Sequence, residues 1–112
     1  MEVNAVHPKY PNVFKPIKLG PVQLSGRFFF ASHGLNMVHA GGNEPSNDLP
    51  FFSAERARGG VHLMIQSQNV HGGWGINAVS PFPKRNIESF RVTADKVHEY
   101  GARLFAQLWY FW

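Results

Sequence analysis

At 112 residues with a formal net charge of +4 and no cysteine, the chain holds one domain's worth of polypeptide, and disulfides, thiolate metal sites and cysteine nucleophiles are excluded within it. Hydrophobic residues make up 44% and charged residues 16%, the balance of a chain that folds and not of a disordered tail. The basic residues stand singly or in small groups, such as Arg56 and Arg58 or Lys84 and Arg85, without the concentrated patch that nucleic acid or an anionic membrane requires, so neither is expected as a partner.

Residues 1–12 carry Glu2, His7, Lys9 and two prolines in place of an apolar core, so no secretory signal is read there. The longest apolar stretches, 28–32 and 104–112, fall well short of the ~20 residues of a membrane helix. A soluble cytoplasmic protein is the expectation. That the chain stops in an apolar aromatic run suggests a piece of something longer.

Ile17, Lys18, Leu19 and Val22, Gln23, Leu24 alternate apolar and polar residues around Gly20 and Pro21, which predicts a small hairpin. Residues 27–32 then form an unbroken apolar run ending at His33 and Gly34, as expected for a strand covered on both faces. Residues 35–48 have no sustained period and read as a long loop. Asn47 or Asp48 is placed to cap a helix with Pro50 in its first turn, where a missing N–H costs little. That helix is expected to run to about Arg58 with Leu49, Phe52 and Ala57 inward, stopping at Gly59 and Gly60.

Residues 61–67 form a second apolar strand, and 68–85 a second long loop rich in glycine and proline. The next helix is expected from Asn86 as N-cap to Gly101 as stop. Ile87, Phe90, Ala94 and Val97 lie on its inner side, and Glu88, Arg91, Lys96 and Glu99 face outward. A third strand spans 103–108. Strand, helix, strand, helix, strand is the order of a parallel α/β sheet. Both long loops follow a strand and precede a helix, the edge where α/β proteins hold their ligands.

Gly73, Gly75 and Ala78 match GxGxxA after a strand, with Asp95 downstream. The fingerprint must open a helix whose amides face the pyrophosphate, and Pro81 and Pro83 forbid one there. A dinucleotide fold is therefore not read from it. Among six histidines, His33, His39 and His71 fall in strand-end loops but lack the spacing or carboxylate partner of a metal site, so no metal is expected. His62 and His98 read as packing residues. His33, directly after the first strand, is either a ligand contact or a plain polar loop residue. Gln107 interrupts an apolar strand, and a buried amide left unpaired costs ~1–3 kcal/mol. Its partner is either a neighbouring backbone group or a planar heterocycle that an amide can meet with both C=O and NH2. Gln66 and Gln68 make the same demand from the second strand.

Phe14 to Gly20 with Leu24 and Arg27, then an aromatic strand, Asp48 and Leu49 with the Arg56 to Gly60 run, Val70 and His71, Val97 to Gly101, and Gln107, Leu108 and Trp109 together resemble the Old Yellow Enzyme family of FMN-dependent NAD(P)H:flavin oxidoreductases. Ser32 and His33, with Leu108, Trp109 and Tyr110, are more similar to its trimethylamine dehydrogenase and dienoyl-CoA reductase branch. The resemblance implies a (β/α)8 TIM barrel of ~250 residues or more. Residues 1–112 would supply its N-terminal hairpin and first three parallel strands. It also implies that Ala31, Ser32, His33 and Gly34 touch the flavin, that Gln68 contacts it after the second strand, and that Gln107 binds the pyrimidine edge of the isoalloxazine. FMN is the implied cofactor, with NAD(P)H and a small-molecule acceptor as partners of the full-length protein. Gly34 stands where the trimethylamine dehydrogenase branch has its flavin-linking cysteine, so the flavin is expected to be non-covalent. Ser32 replaces the usual proline, Ser67 a frequent acidic residue, and Phe111 with Trp112 a small-residue turn. The family's catalytic groups would lie beyond Trp112, so no catalytic residue is assigned. Alone, the chain is expected to be inactive and to self-associate. The competing reading is a non-catalytic α/β interaction module that docks through its aromatic C-terminal strand.

Overall fold

The computed structural model describes residues 7–39, 44–69, 79–81 and 84–110. Val70 with His71, the glycine motif at 73–78 and Phe111 with Trp112 lie outside the described residues. Two short strands, β1 (Ile17–Leu19) and β2 (Val22–Leu24), form the expected antiparallel hairpin, with Ile17 opposite Leu24 and Leu19 opposite Val22. Gly20 turns it at φ +55°, a conformation that costs glycine little. There follow β3 (Phe29–Phe30), α1 (Leu49–Arg58), β4 (Leu63–Asn69), α2 (Asn86–His98) and β5 (Arg103–Trp109). The second sheet has the order β3-β4-β5, with both pairings parallel, so the βαβαβ order read from hydrophobic patterning is the one adopted.

Register divides the sheet into two faces. Phe30 pairs with Met64 and Met64 with Leu104. These residues, with Ala57 of α1, Val97 of α2, Val61 and Ala102, make the core. Because side chains alternate along a strand, Gln66, Gln68, Ala106 and Leu108 share this helix face, while Phe29, Ile65, Ser67, Phe105 and Gln107 lie on the far face. Phe29 is 57% exposed, so the strand expected to be covered on both sides is covered on one. Its pairing is also shorter than the apolar run suggested, two residues in place of six.

In α1, Pro50 sits in the first turn and Asp48 holds the N-cap position, although its side chain makes no capping bond. Leu49, Ser53 and Ala57 are buried, one side of the helix at a spacing of four, and Phe52 is half-buried. In α2 three of the four residues expected on the inner side are found there, and the departure is confined to the first turn. Asn86, Thr93 and Val97 are buried with Phe90 and Ala94 half-buried, whereas Ile87 is 61% exposed. Arg85, not Asn86, holds the N-cap. The Asn86 side chain turns inward and donates from Nδ2 to the Ser80 carbonyl at 2.8 Å, tying the first turn of the helix to the preceding segment and taking the inner place expected of Ile87. Lys96 is half-buried, with Nζ 5.0 Å from the Phe51 ring centroid, its aliphatic stem available to cover that ring. Gly101, at φ +76°, follows the end of α2.

Arg91 bridges Glu88 and Asp95 along the outer face of α2. The hydrogen bond from Arg91 holds the Glu88 carboxyl below its usual range, yet all three groups are solvated, and pairs of that kind add little stability.

The hairpin is fastened to the start of the parallel sheet by one histidine. His62 Nδ1 accepts the Phe28 N–H at 3.3 Å, its N–H donates to the Phe28 carbonyl at 2.8 Å, and its carbonyl accepts the Arg103 N–H at 3.0 Å. Its ring lies edge-on to Phe14, with centroids 6.2 Å apart, and against buried Gly26. Arg27 N–H donates to the Val13 carbonyl at 2.8 Å. No described helix is long and apolar enough to cross a membrane.

Candidate functional site

All six residues singled out from the sequence belong to the ends of β3, β4 and β5. Ser67 is the register partner of Gln107, and Gln68 that of Leu108. The 31–34 segment follows Phe30, the last paired residue of β3, and so lies off the C-terminal end of that strand, on the side of the parallel sheet where β4 and β5 also end. The rim is therefore shared, but the side chains divide between the two faces.

After Phe30 the chain leaves the sheet, and the turn 31–34 is shaped by His33. The imidazole stacks on Phe30 with centroids 4.6 Å apart, so this side chain folds back over the helix face. Phe30 meets Phe52 edge-on at 6.2 Å. The Arg56 guanidinium lies 3.4 Å from the Phe52 ring centroid and donates from Nη1 to the Phe52 carbonyl at 3.2 Å. His33 Nδ1 is 2.6 Å from the Ala31 carbonyl oxygen, and the Leu35 N–H donates to the His33 carbonyl at 2.9 Å. Among the described residues, the backbone N–H groups of Ser32, His33 and Gly34 have no partner. Ala31 and Gly34 are exposed and Ser32 is half-buried.

Gln68 is 7% exposed and lies on the helix face. Gln107, expected to be a buried amide, is instead exposed on the far face. The reason is layering, since α1 and α2 cover only the face that carries Met64 and Leu104, so a residue at odd parity on β5 meets solvent. Among the described residues the buried amide without a partner is Gln66, 8% exposed, with neither Nε2 nor Oε1 hydrogen-bonded. It sits two residues from Met64 on the helix face, and it is one of the three strand amides that the sequence marks as expensive to bury.

Sequence reasoning missed a groove of about 460 Å³ between the N-terminal ends of α1 and α2, lined among others by His39, Glu44, Phe51, Arg85 and Ser89. Arg85 Nε meets Glu44 at 2.6 Å across it. None of the six rim residues lines it. Among the described residues, no three His, Asp or Glu side chains converge as metal ligands would.

The hairpin followed by a parallel βαβαβ sheet is a fold shared with solved Old Yellow Enzyme structures. The chain superposes on the Old Yellow Enzyme of a Pichia species with a TM-score of 0.79 at 24% identity, covering 88% of this chain and 26% of that one. On the Old Yellow Enzyme of Trypanosoma cruzi the TM-score is 0.78 at 25% identity, covering 89% and 27%. The structure is thus part of a (β/α)8 barrel. Residues 12–111 match the NADH:flavin oxidoreductase / NADH oxidase family, and the chain belongs to that family, whose cofactor is FMN. It is 29% identical over 109 residues to the cinnamate reductase of Clostridium sporogenes, covering 89% of this chain and 16% of that protein. It is 28% identical over 102 residues to the bilirubin reductase of Mediterraneibacter gnavus, covering 88% and 15%. The chain therefore spans about one sixth of these curated relatives.

Proposed function

We propose that residues 1–112 are the N-terminal part of an FMN-dependent oxidoreductase domain and furnish one side of its flavin site, in a protein that moves hydride from NAD(P)H to an activated alkene or similar small acceptor. The observation that carries this reading is the family match over 12–111, taken with a rim whose polar groups suit a flat heterocycle. Partnerless N–H groups at 32–34 fit carbonyl and imine acceptors, and the Gln107 amide, exposed at the same rim on the far face, can both donate and accept. Ala31, Ser32, His33 and Gly34 would meet the ring through backbone, and Gln107 through its side chain. Gln68, turned to the helix face, would act through its main chain.

Bound FMN would supply two-electron chemistry between the nicotinamide and the acceptor, while the protein supplies orientation and fixed dipoles. This chain's share is binding and orientation. Gln107 orients the ring, and Phe29, Ile65 and Phe105 on the far face form apolar surface that excludes water near it. The proton that completes reduction of the acceptor would come from elsewhere in the protein, since among the described residues no Asp or Glu lies at the rim.

Few polar groups on one side of a ring hold it weakly. FMN fluorescence is therefore expected to be barely quenched by micromolar chain, and clear micromolar quenching by a monomer contradicts that expectation. Joined to the βα units that would follow, the protein is expected to purify with FMN, to lose it on denaturation because Gly34 stands where the flavin-linking cysteine would be, and to bind it more weakly as Gln107→Leu. A colourless full-length protein, or an encoding frame that does not continue into further βα units, would sink this reading.

The exposed aromatics favour one accompanying behaviour. Phe28 and Phe29 are each 57% exposed, Phe105 38% and Leu108 60%, and β3 and β5 are the edges of the sheet. Such edges and patches promote association. Sedimentation of the chain alone is expected to reveal concentration-dependent oligomers, and a monomer at all concentrations would contradict this.

A further inference from the structure

Beyond Phe30, the last paired residue of β3, the turn 31–34 depends on its own contacts for its shape. A carbonyl oxygen only accepts, so the 2.6 Å contact between His33 Nδ1 and the Ala31 oxygen requires the proton on Nδ1. In the neutral ring Nε2 is then bare. The ring is shelved on Phe30, which is backed edge-on by Phe52, which in turn carries the Arg56 guanidinium on its face. Arg56 also ties the Phe52 carbonyl, so the stack is anchored in α1. The carbonyls of Ala31 and His33 are both engaged, while three successive N–H groups at 32–34 have no partner among the described residues. A run of free N–H groups beside engaged carbonyls is an electropositive surface suited to acceptor atoms.

We propose that His33 is a positioning residue, a clamp that occupies the Ala31 carbonyl so that the turn offers hydrogen-bond donors to the acceptor atoms of a bound ring. The inference rests on the flavin reading and deepens it, because the side chain acts on the turn and the turn on the ligand. A histidine that merely filled space over Phe30 would not need its proton on Nδ1.

The test begins without ligand. Nitrogen-15 imidazole spectra of the 112-residue chain are expected to show His33 as the Nδ1–H tautomer. The Ser32 amide nitrogen, bonded to the Ala31 carbonyl carbon, is expected to shift in His33→Phe, which keeps a ring and loses the donor. His33→Asn, whose Nδ2 falls where Nδ1 does, is expected to restore that shift. Millimolar FMN is expected to move the Ser32, His33 and Gly34 amides. Its dissociation constant should rise about tenfold in His33→Phe, the loss of one hydrogen bond, and stay within about threefold in His33→Asn. An Nε2–H or averaging ring in the unsubstituted chain, or an unmoved Ser32 nitrogen in His33→Phe, overturns the clamp whatever FMN does. FMN that moves other amides and not those of the turn overturns it as well. FMN that moves no amide at all counts against the flavin reading alone, and the tautomer then decides the clamp.

Discussion

Gly26→Ala is expected to lower the unfolding free energy by ~2–3 kcal/mol, at the upper end of overpacking costs. A Cβ at position 26 would lie 2.7 Å from His62 Nδ1 and closer still to Cε1 and Nε2. The ring has little room to retreat, because its edge meets Phe14 and its Nδ1 accepts the Phe28 N–H. If it swings away, that N–H loses its acceptor; if it stays, the hairpin lifts from the sheet. Either route weakens the same junction, where Arg27 is bonded to Val13 and Ser25 Oγ reaches the Gly101 carbonyl at 3.5 Å. Urea unfolding measures the loss. A double substitution, Gly26→Ala with His62→Ala, should cost less than the sum of the two single ones, because the second removes the atoms that the first strikes. A Gly26→Ala chain within ~0.5 kcal/mol of the parent would mean that His62 does not hold this position.

Gln66→Met is expected to act in the opposite direction, raising stability by ~1–2 kcal/mol. The amide is buried on the helix face in register with Ala106, and neither of its polar atoms has a partner. Methionine is unbranched and of similar length, so it can occupy the same space without a cavity and without desolvated polar atoms. The urea midpoint should rise with an unchanged slope. A fall in the midpoint would show that the amide is hydrogen-bonded in solution and that its burial is compensated. Because Gln66 faces the helices while Gln107 faces away from them, the substitution is not expected to alter FMN binding in the full-length protein.

Much of this architecture was legible in local chemistry. The Gly20 and Pro21 turn between two alternating triplets, Pro50 at the start of α1 and Gly59 with Gly101 beyond the helix ends each follow from backbone preferences that do not depend on distant residues. The order of strands and helices follows from hydrophobic spacing, and the rim follows from that order. The inner residue of the first turn of α2 was not legible, since Asn86 looks like a cap in sequence and becomes a buried donor only because the Ser80 carbonyl is folded against it. Nor was the division of the glutamines. Three amides punctuate two apolar strands, and periodicity alone marks all three as expensive to bury.

The amino-acid sequence by itself determined the family and the βαβαβ order, because propensity, turn chemistry and motif spacing are carried by neighbours along the chain. Tertiary structure alone decided that Gln66 is the orphaned amide and Gln107 the exposed one, that His33 folds back on Phe30, and that His62 closes over Gly26. Those outcomes depend on strand register and on which face the helices cover. A shift of one residue in register exchanges every side chain between the two faces, and register is set by contacts between residues far apart in the chain.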